Sequence, residues 1–170
     1  NSGGLEQLKR DLRDSLRNLA KLAQNQKFLQ DKTKSAGDEK QSIKKVRRDI
    51  EQLRKKQKDL QEQTNGLPED QSKAQPKMNE LSEHQSGLEE QNAALGENTE
   101  QLSQNLAQKS GLRSEKMKMA SEKIKKAGKS MNQASRSLSE SKPETAKKDQ
   151  NEVQKKLAEA DRLSKEAQEN

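Results

Sequence analysis

The chain has 170 residues, of which 25% are apolar, 1% aromatic and 37% charged, and its 35 basic and 28 acidic side chains leave a net charge of +7. An apolar share so far below the roughly 45–50% of ordinary globular domains excludes a compact mixed fold, because too little surface can be buried to offset chain entropy. A disordered chain or long helices that bury a narrow stripe remain, and the absence of cysteine removes disulfides, thiolate zinc sites and cysteine nucleophiles.

The opening "NSGG" reads as a linker or cloning scar over residues 1–4, and the chain as a fragment of a longer protein. In the first segment leucines recur with a heptad period. One edge of the stripe reads Leu5, Leu12, Leu19, Gln26 and Thr33, and the other Leu8, Ser15, Leu22, Leu29 and Ala36, with Leu16 beside it. "SAGDEKQ" interrupts at 35–41, where Gly37 suits a helix C-cap and Asp38 with Gln41 has capping-box spacing.

The second segment carries Ile43, Ile50, Gln57 and Thr64 on one edge and Val46, Leu53, Leu60 and Leu67 on the other. "LAQNQKFLQDKT" (22–33) and "LRKKQKDLQEQT" (53–64) agree at six of twelve positions, and they occupy the same heptad positions of their segments. Their offset of 31 residues resets the heptad, which two helices and a turn explain better than one rod.

"NGLPEDQSKAQP" at 65–76 contains a helix stop and two prolines and predicts a kink or loop. The third segment sets Leu81, Leu88, Leu95 and Leu102 against Met78, Gln85, Asn92, Thr99 and Leu106. Gly87 and Gly96 weaken it by about 1 kcal/mol each relative to alanine. Leu67, Ala74 and Leu81 keep the phase of the second segment, so an unbroken helix competes with the break.

The fourth segment alternates Met117, Ile124, Met131 and Leu138 with Ala120, Ala127 and Ala134. The turn "SESKPE" (139–144) places Ser141 and Glu144 at capping-box spacing around Pro143. The fifth segment offers Ala146, Val153, Leu157, Ala160, Leu163 and Ala167, so the last two segments read as an antiparallel hairpin. Met117, Met119 and Met131 could form an adaptable groove, but two of the three are core positions and that reading is preferred.

These patterns predict an all-α fold of about five helices, near 5–34, 38–64, 76–109, 112–139 and 143–168. They are expected to form antiparallel coiled-coil hairpins, elongated or as a thin bundle. The expected units are a hairpin of two related repeats (5–64), a loop (65–76), a leucine-heptad helix (77–109) and an alanine-rich hairpin (110–170). Gln26, Gln57, Gln85 and Asn92 stand where leucine would stabilise more. They read as register determinants, with exposed helix ends as the competing reading.

Charge is uneven. Residues 1–66 hold 17 basic and 10 acidic side chains, residues 67–109 hold 3 and 8, and residues 110–170 hold 15 and 10. An acidic middle between basic ends suits end-to-middle folding or self-association. "IKKVRRDIEQLRKKQK" (43–58) and "EKMKMASEKIKKAGK" (115–129) are basic enough for phosphate contacts. Acids interrupt them and base-stacking aromatics are missing, so a solvated helix face is the preferred reading. His84 is the lone histidine, with Glu80 and Glu83 nearby, and reads as a surface residue rather than a metal ligand. No phosphate-binding glycine motif or nucleophile–base pair is present in the sequence, and no catalytic residue, cofactor or metal is expected.

The pattern Met117-x-x-Ala120, Ile124-x-x-Ala127, Met131-x-x-Ala134, Leu138, then Ala146, Gln150, Val153 and Leu157 resembles the helical hairpin of an uncharacterised family of large, membrane-anchored bacterial envelope proteins. The two Gln-x-x-Leu-x-x-x-Thr phrases resemble that family's upstream, Gln-rich extracytoplasmic helices. The resemblance implies a periplasmic or envelope scaffold and transfers no catalytic or binding residue. The functional expectation is a structural or protein-interaction scaffold that meets a protein partner or a second copy through its seams. The alternative is a basic helical module for nucleic acid or anionic membrane surfaces. A third class is a desiccation-type hydrophilic chain, disordered when dilute.

Overall fold

The computed structural model describes residues 2–32 and 38–169. Five helices account for nearly all of them: α1 Ser2–Lys32, α2 Glu39–Asn65, α3 Gln71–Leu106, α4 Gly111–Ser139 and α5 Pro143–Glu169. The expected cap at Gly37, the seam positions Thr33 and Ala36, and the side chain of Leu29 lie outside the described residues. The first helix runs back through Gly3 and Gly4 to Ser2, so the segment read as a linker is helical there.

Loops too short to cross the molecule force α2, α3, α4 and α5 into an up-and-down arrangement. α2 packs on α3 and α5, and α4 packs on the same two helices, which closes a ring of four. One apolar cluster runs through all four, from Ile43 and Val46 on α2 to Leu163 and Ala167 on α5. The heptad residues of α2, α3, α4 and α5 form it: Ile50, Leu53 and Leu60; Leu81, Leu88, Leu95 and Leu102; Met117, Ala120, Ile124, Ala127 and Met131; and Val153, Leu157 and Ala160 are all buried. Ala134, also on the α4 seam, is buried too. Alanine on alternate layers of α4 lets its two neighbours approach closely, and α3–α4 and α4–α5 are the most extensive helix contacts.

Segment 5–64 does not close into a hairpin around its leucines. α2 joins the ring, whereas α1 lies along the outside of α3. The contacts Arg13–Glu90 at 3.8 Å and Gln24–Asn98 advance together in both helices, so α1 and α3 run in the same direction.

Two local expectations are corrected at helix ends. α3 begins at Gln71 rather than after Pro76. Asp70 caps it by accepting from the Ser72 backbone N–H at 3.0 Å, and Pro76 sits inside the helix. The hydrogen bond that Pro76 cannot donate belongs to the Ser72 carbonyl, on an exposed first turn where water can substitute. The break between α2 and α3 is the short stretch 66–70, so the phase-matched leucines belong to two helices. Asp38 precedes α2 without making a side-chain cap hydrogen bond. Ser141 does not open a capping box. It takes a left-handed φ of 62° and ends α4. Its N–H donates to the Leu138 carbonyl at 3.1 Å and the Lys142 N–H reaches the Ser137 carbonyl at 2.7 Å. This pair of bonds is a Schellman closure with serine where glycine is usual. Pro143 then occupies the first position of α5, where a missing N–H is harmless.

Candidate functional site

Two features depart from a plain four-helix core: a layer of buried amides inside the ring, and an apolar stripe outside it.

The amide layer grows directly from heptad positions. Gln57 on α2 and Gln85 on α3 are fully buried. Gln57 Nε2 donates to Gln85 Oε1 at 3.0 Å, and Gln85 Nε2 donates back to Gln57 Oε1 at 2.7 Å. Gln150 on α5 joins them, donating to Thr64 Oγ1 at 3.0 Å and more weakly to Gln85 Oε1 at 3.4 Å. Thr64 in turn donates to its own helix at the Leu60 carbonyl, 3.0 Å away. Three helices are thereby tied at one level of the core. The sequence reading assigns Gln57 and Gln85 to register but gives Gln150, part only of the pattern of the last two segments, no such role, although it lies seven residues before the buried Leu157.

Asn92 is buried on α3, one turn-pair further along, and bonds differently. Its Nδ2 donates to the Ile124 carbonyl of α4 at 2.8 Å. The approach depends on Gly128, because a Cβ there would stand 2.9 Å from Asn92 Nδ2. Near the other end of the same helix pair, Ser82 Oγ donates to the Ser135 carbonyl at 2.8 Å and Ser135 Oγ to the Ser82 carbonyl at 3.0 Å. Small hydroxyl and glycine positions hold α3 and α4 close. Gln26, assigned to the same class from its heptad position, is exposed on α1 and belongs to no such layer.

The stripe is on α1. Leu5, Leu8, Leu12, Leu16, Leu19 and Leu22 are between 54% and 64% exposed. The half-buried side of the helix is instead polar: Arg17, Lys21, Gln24 and Asn25 turn towards the bundle. Arg17 Nε and Asn25 Oδ1 are buried there without a hydrogen-bond partner. α1 is thus docked with its amphipathicity inverted, its polar face inwards and its leucines towards solvent. The acidic α3 receives it, as the charge asymmetry anticipates. Leu112 and Met119 on α4 are the other large exposed apolar residues among those described, and they stand apart from the stripe in sequence.

Among the described residues, six of the fourteen basic side chains in the two runs make ion pairs, while others such as Lys44, Arg48, Lys118 and Lys126 are exposed without one. Lys45 meets Asp49 at 3.0 Å, and Arg47 reaches Asp161 at 3.4 Å and Gln168 Oε1 at 2.7 Å across to α5. On α4, Lys116 meets Glu166 at 2.9 Å, Lys123 meets Glu159 at 2.8 Å, and Lys125 pairs with Glu100. Hydrogen bonding from Lys123 holds the Glu159 carboxyl below the ordinary glutamate range, and Lys116, then Arg162, does the same for Glu166. Asp149 shifts upwards because burial disfavours its charge, a shift partly offset by Ser137. Among the described residues no group of three or more His, Cys, Asp or Glu side chains has metal-site geometry. His84 is exposed and lines a shallow groove with Lys56, Asp59 and Gly87. No described helix is long and apolar enough to cross a membrane. Comparison with known proteins gives no match: no family model, no curated protein and no solved structure is similar to this chain.

Proposed function

We propose that the chain is a structural, non-catalytic helical scaffold that recruits a protein through α1. The observation that supports this reading most is the inverted docking of α1. The ring of α2–α5 has closed its own seams, so its stability needs no further partner, yet six leucines remain in water on one face of a neighbouring helix. An apolar patch of that extent on an otherwise charged molecule marks an interaction surface.

The amide layer fits a scaffold that must hold one geometry. A slip of one heptad that sets Gln57 against Met78 also sets Gln85 against Ile50, and both amides are then stranded in apolar surroundings. Each stranded amide costs roughly 1–3 kcal/mol, so the layer discriminates between registers. The envelope setting implied by the resemblance of the α4–α5 pattern belongs to the same proposal.

The competing reading, a basic module for nucleic acid or anionic lipid, is disfavoured by the cross-helix ion pairs that occupy Arg47, Lys116, Lys123 and Lys125. Titrations of duplex DNA and of acidic vesicles at about 50 and 200 mM salt separate the two. The scaffold reading expects no saturable binding at either salt concentration. Tight binding at low salt that collapses by orders of magnitude at high salt would overturn it.

A further inference from the structure

Resting on the scaffold reading, we infer that the partner of the α1 stripe is a second copy of this chain, bound antiparallel through α1 itself. The stripe runs from Leu5 to Leu22, a length of about 26 Å at 1.5 Å per residue. Each leucine, a little over half exposed, offers roughly 70 Å² of apolar area, that fraction of the about 120 Å² that the transfer energy of the whole side chain implies. Two stripes brought together would bury about 800 Å² of leucine surface, the size of a weak, transient interface rather than of a permanent one.

The stripe is also self-complementary. A two-fold axis between Arg13 and Asp14 sets Leu5 against Leu22 of the second copy and Leu8 against its Leu19. Leu12 falls opposite Ser15, whose small side chain leaves room for it. Flanking positions then bring Lys9 against Leu16 and Asp11 against Asn18, so no like charges meet across the pair. The long stem of Lys9 can cover Leu16 while its ammonium stays in water. Opposed helix macrodipoles add to the preference for this direction. The contact is isologous and closes after two copies, which leaves no open end for further growth.

Sedimentation equilibrium of the full chain tests the inference, across about 1–100 μM, the weak end for interfaces of this area. The expected result is a shift from the 19.2 kDa chain mass to twice that value. Leu12→Glu with Leu19→Glu should weaken the dimer by more than about tenfold. Helical circular dichroism should not change, because both side chains are already in water. Leu112→Glu, on α4, should leave the dimer intact. Wild type that stays monomeric throughout, or a dimer indifferent to the α1 changes, overturns self-association through α1. Neither result touches the scaffold reading, which stands or falls on the DNA and vesicle titrations. The chain has no native cysteine, so direction is read by oxidation. A mixture of L8C and L19C chains should cross-link to each other, and cross-linking by L8C alone would overturn the antiparallel register.

Discussion

The phrases at 22–33 and 53–64 begin in opposite environments on α1 and α2. On α2, Leu53 is 4% exposed and Gln57 fully buried, whereas on α1 the matching Leu22 is 55% exposed and Gln26 faces water. A heptad therefore specifies that a helix has an apolar stripe, but not what covers it. α2 completes a ring whose other three members offer complementary seams. With the ring closed, α1 rests on the polar, acidic outside of α3, where Arg13 meets Glu90 and Gln24 meets Asn98.

Truncating the matching leucine of each phrase gives the widest contrast between the two environments. Leu53→Ala should destabilise the bundle by about 2–5 kcal/mol, since Leu53 is buried in the apolar cluster of the ring. Leu22→Ala should change stability by no more than about 0.5 kcal/mol. Urea unfolding of dilute protein followed by circular dichroism measures both, and equal losses would mean that α1 is packed as α2 is.

The glutamines sharpen it further. Gln57→Ala should cost about 1–3 kcal/mol, because Gln85 Nε2 loses its acceptor in the core. Replacing Gln57 and Gln85 together by leucine should recover that loss or exceed wild-type stability, while broadening amide NMR resonances as registers become degenerate. Gln26→Leu should do neither. A double-mutant cycle that shows no coupling between 57 and 85 would mean that the amide pair does not set the register.

Two glycines on the α3–α4 pair give a smaller contrast. Gly87→Ala meets nothing within 4 Å and should stabilise by up to about 1 kcal/mol through helix propensity. Gly128→Ala must displace the Asn92 amide from the Ile124 carbonyl, so it should destabilise by about 1 kcal/mol after the same propensity gain is counted. Thermal melts of the two variants should move in opposite directions.

The smallest effect is electrostatic. Glu159 and Glu166 hold their protons less firmly folded than unfolded, so the unfolded chain binds more protons and stability rises with pH through that interval. Their contribution is complete above the ordinary glutamate range and is lost as pH falls through the lowered folded-state values. Because both pairs are partly exposed, added salt should shrink this slope. A Lys123→Met, Lys116→Met variant should show a flatter acid limb in urea titrations than wild type.

Much of the molecule follows from the sequence alone. The seams of α2, α3, α4 and α5 are legible because a buried stripe on a straight helix must repeat near every 3.5 residues, and few apolar residues lie elsewhere to obscure it. The turn at Pro143 is legible because proline tolerates a first helical position. Ser141 as the left-handed closure of α4 is not, since serine carries no signal for a conformation that glycine usually supplies. Pro76 misled for a related reason: its missing hydrogen bond matters only where water cannot replace it, and exposure is a property of the folded chain. The partner of each stripe was decided only by tertiary structure. Six leucines on α1 and the seam of α2 have the same period, and period measures the chain along its own axis. Burial depends on which surfaces are left once the others have paired, and four closed seams left none for α1.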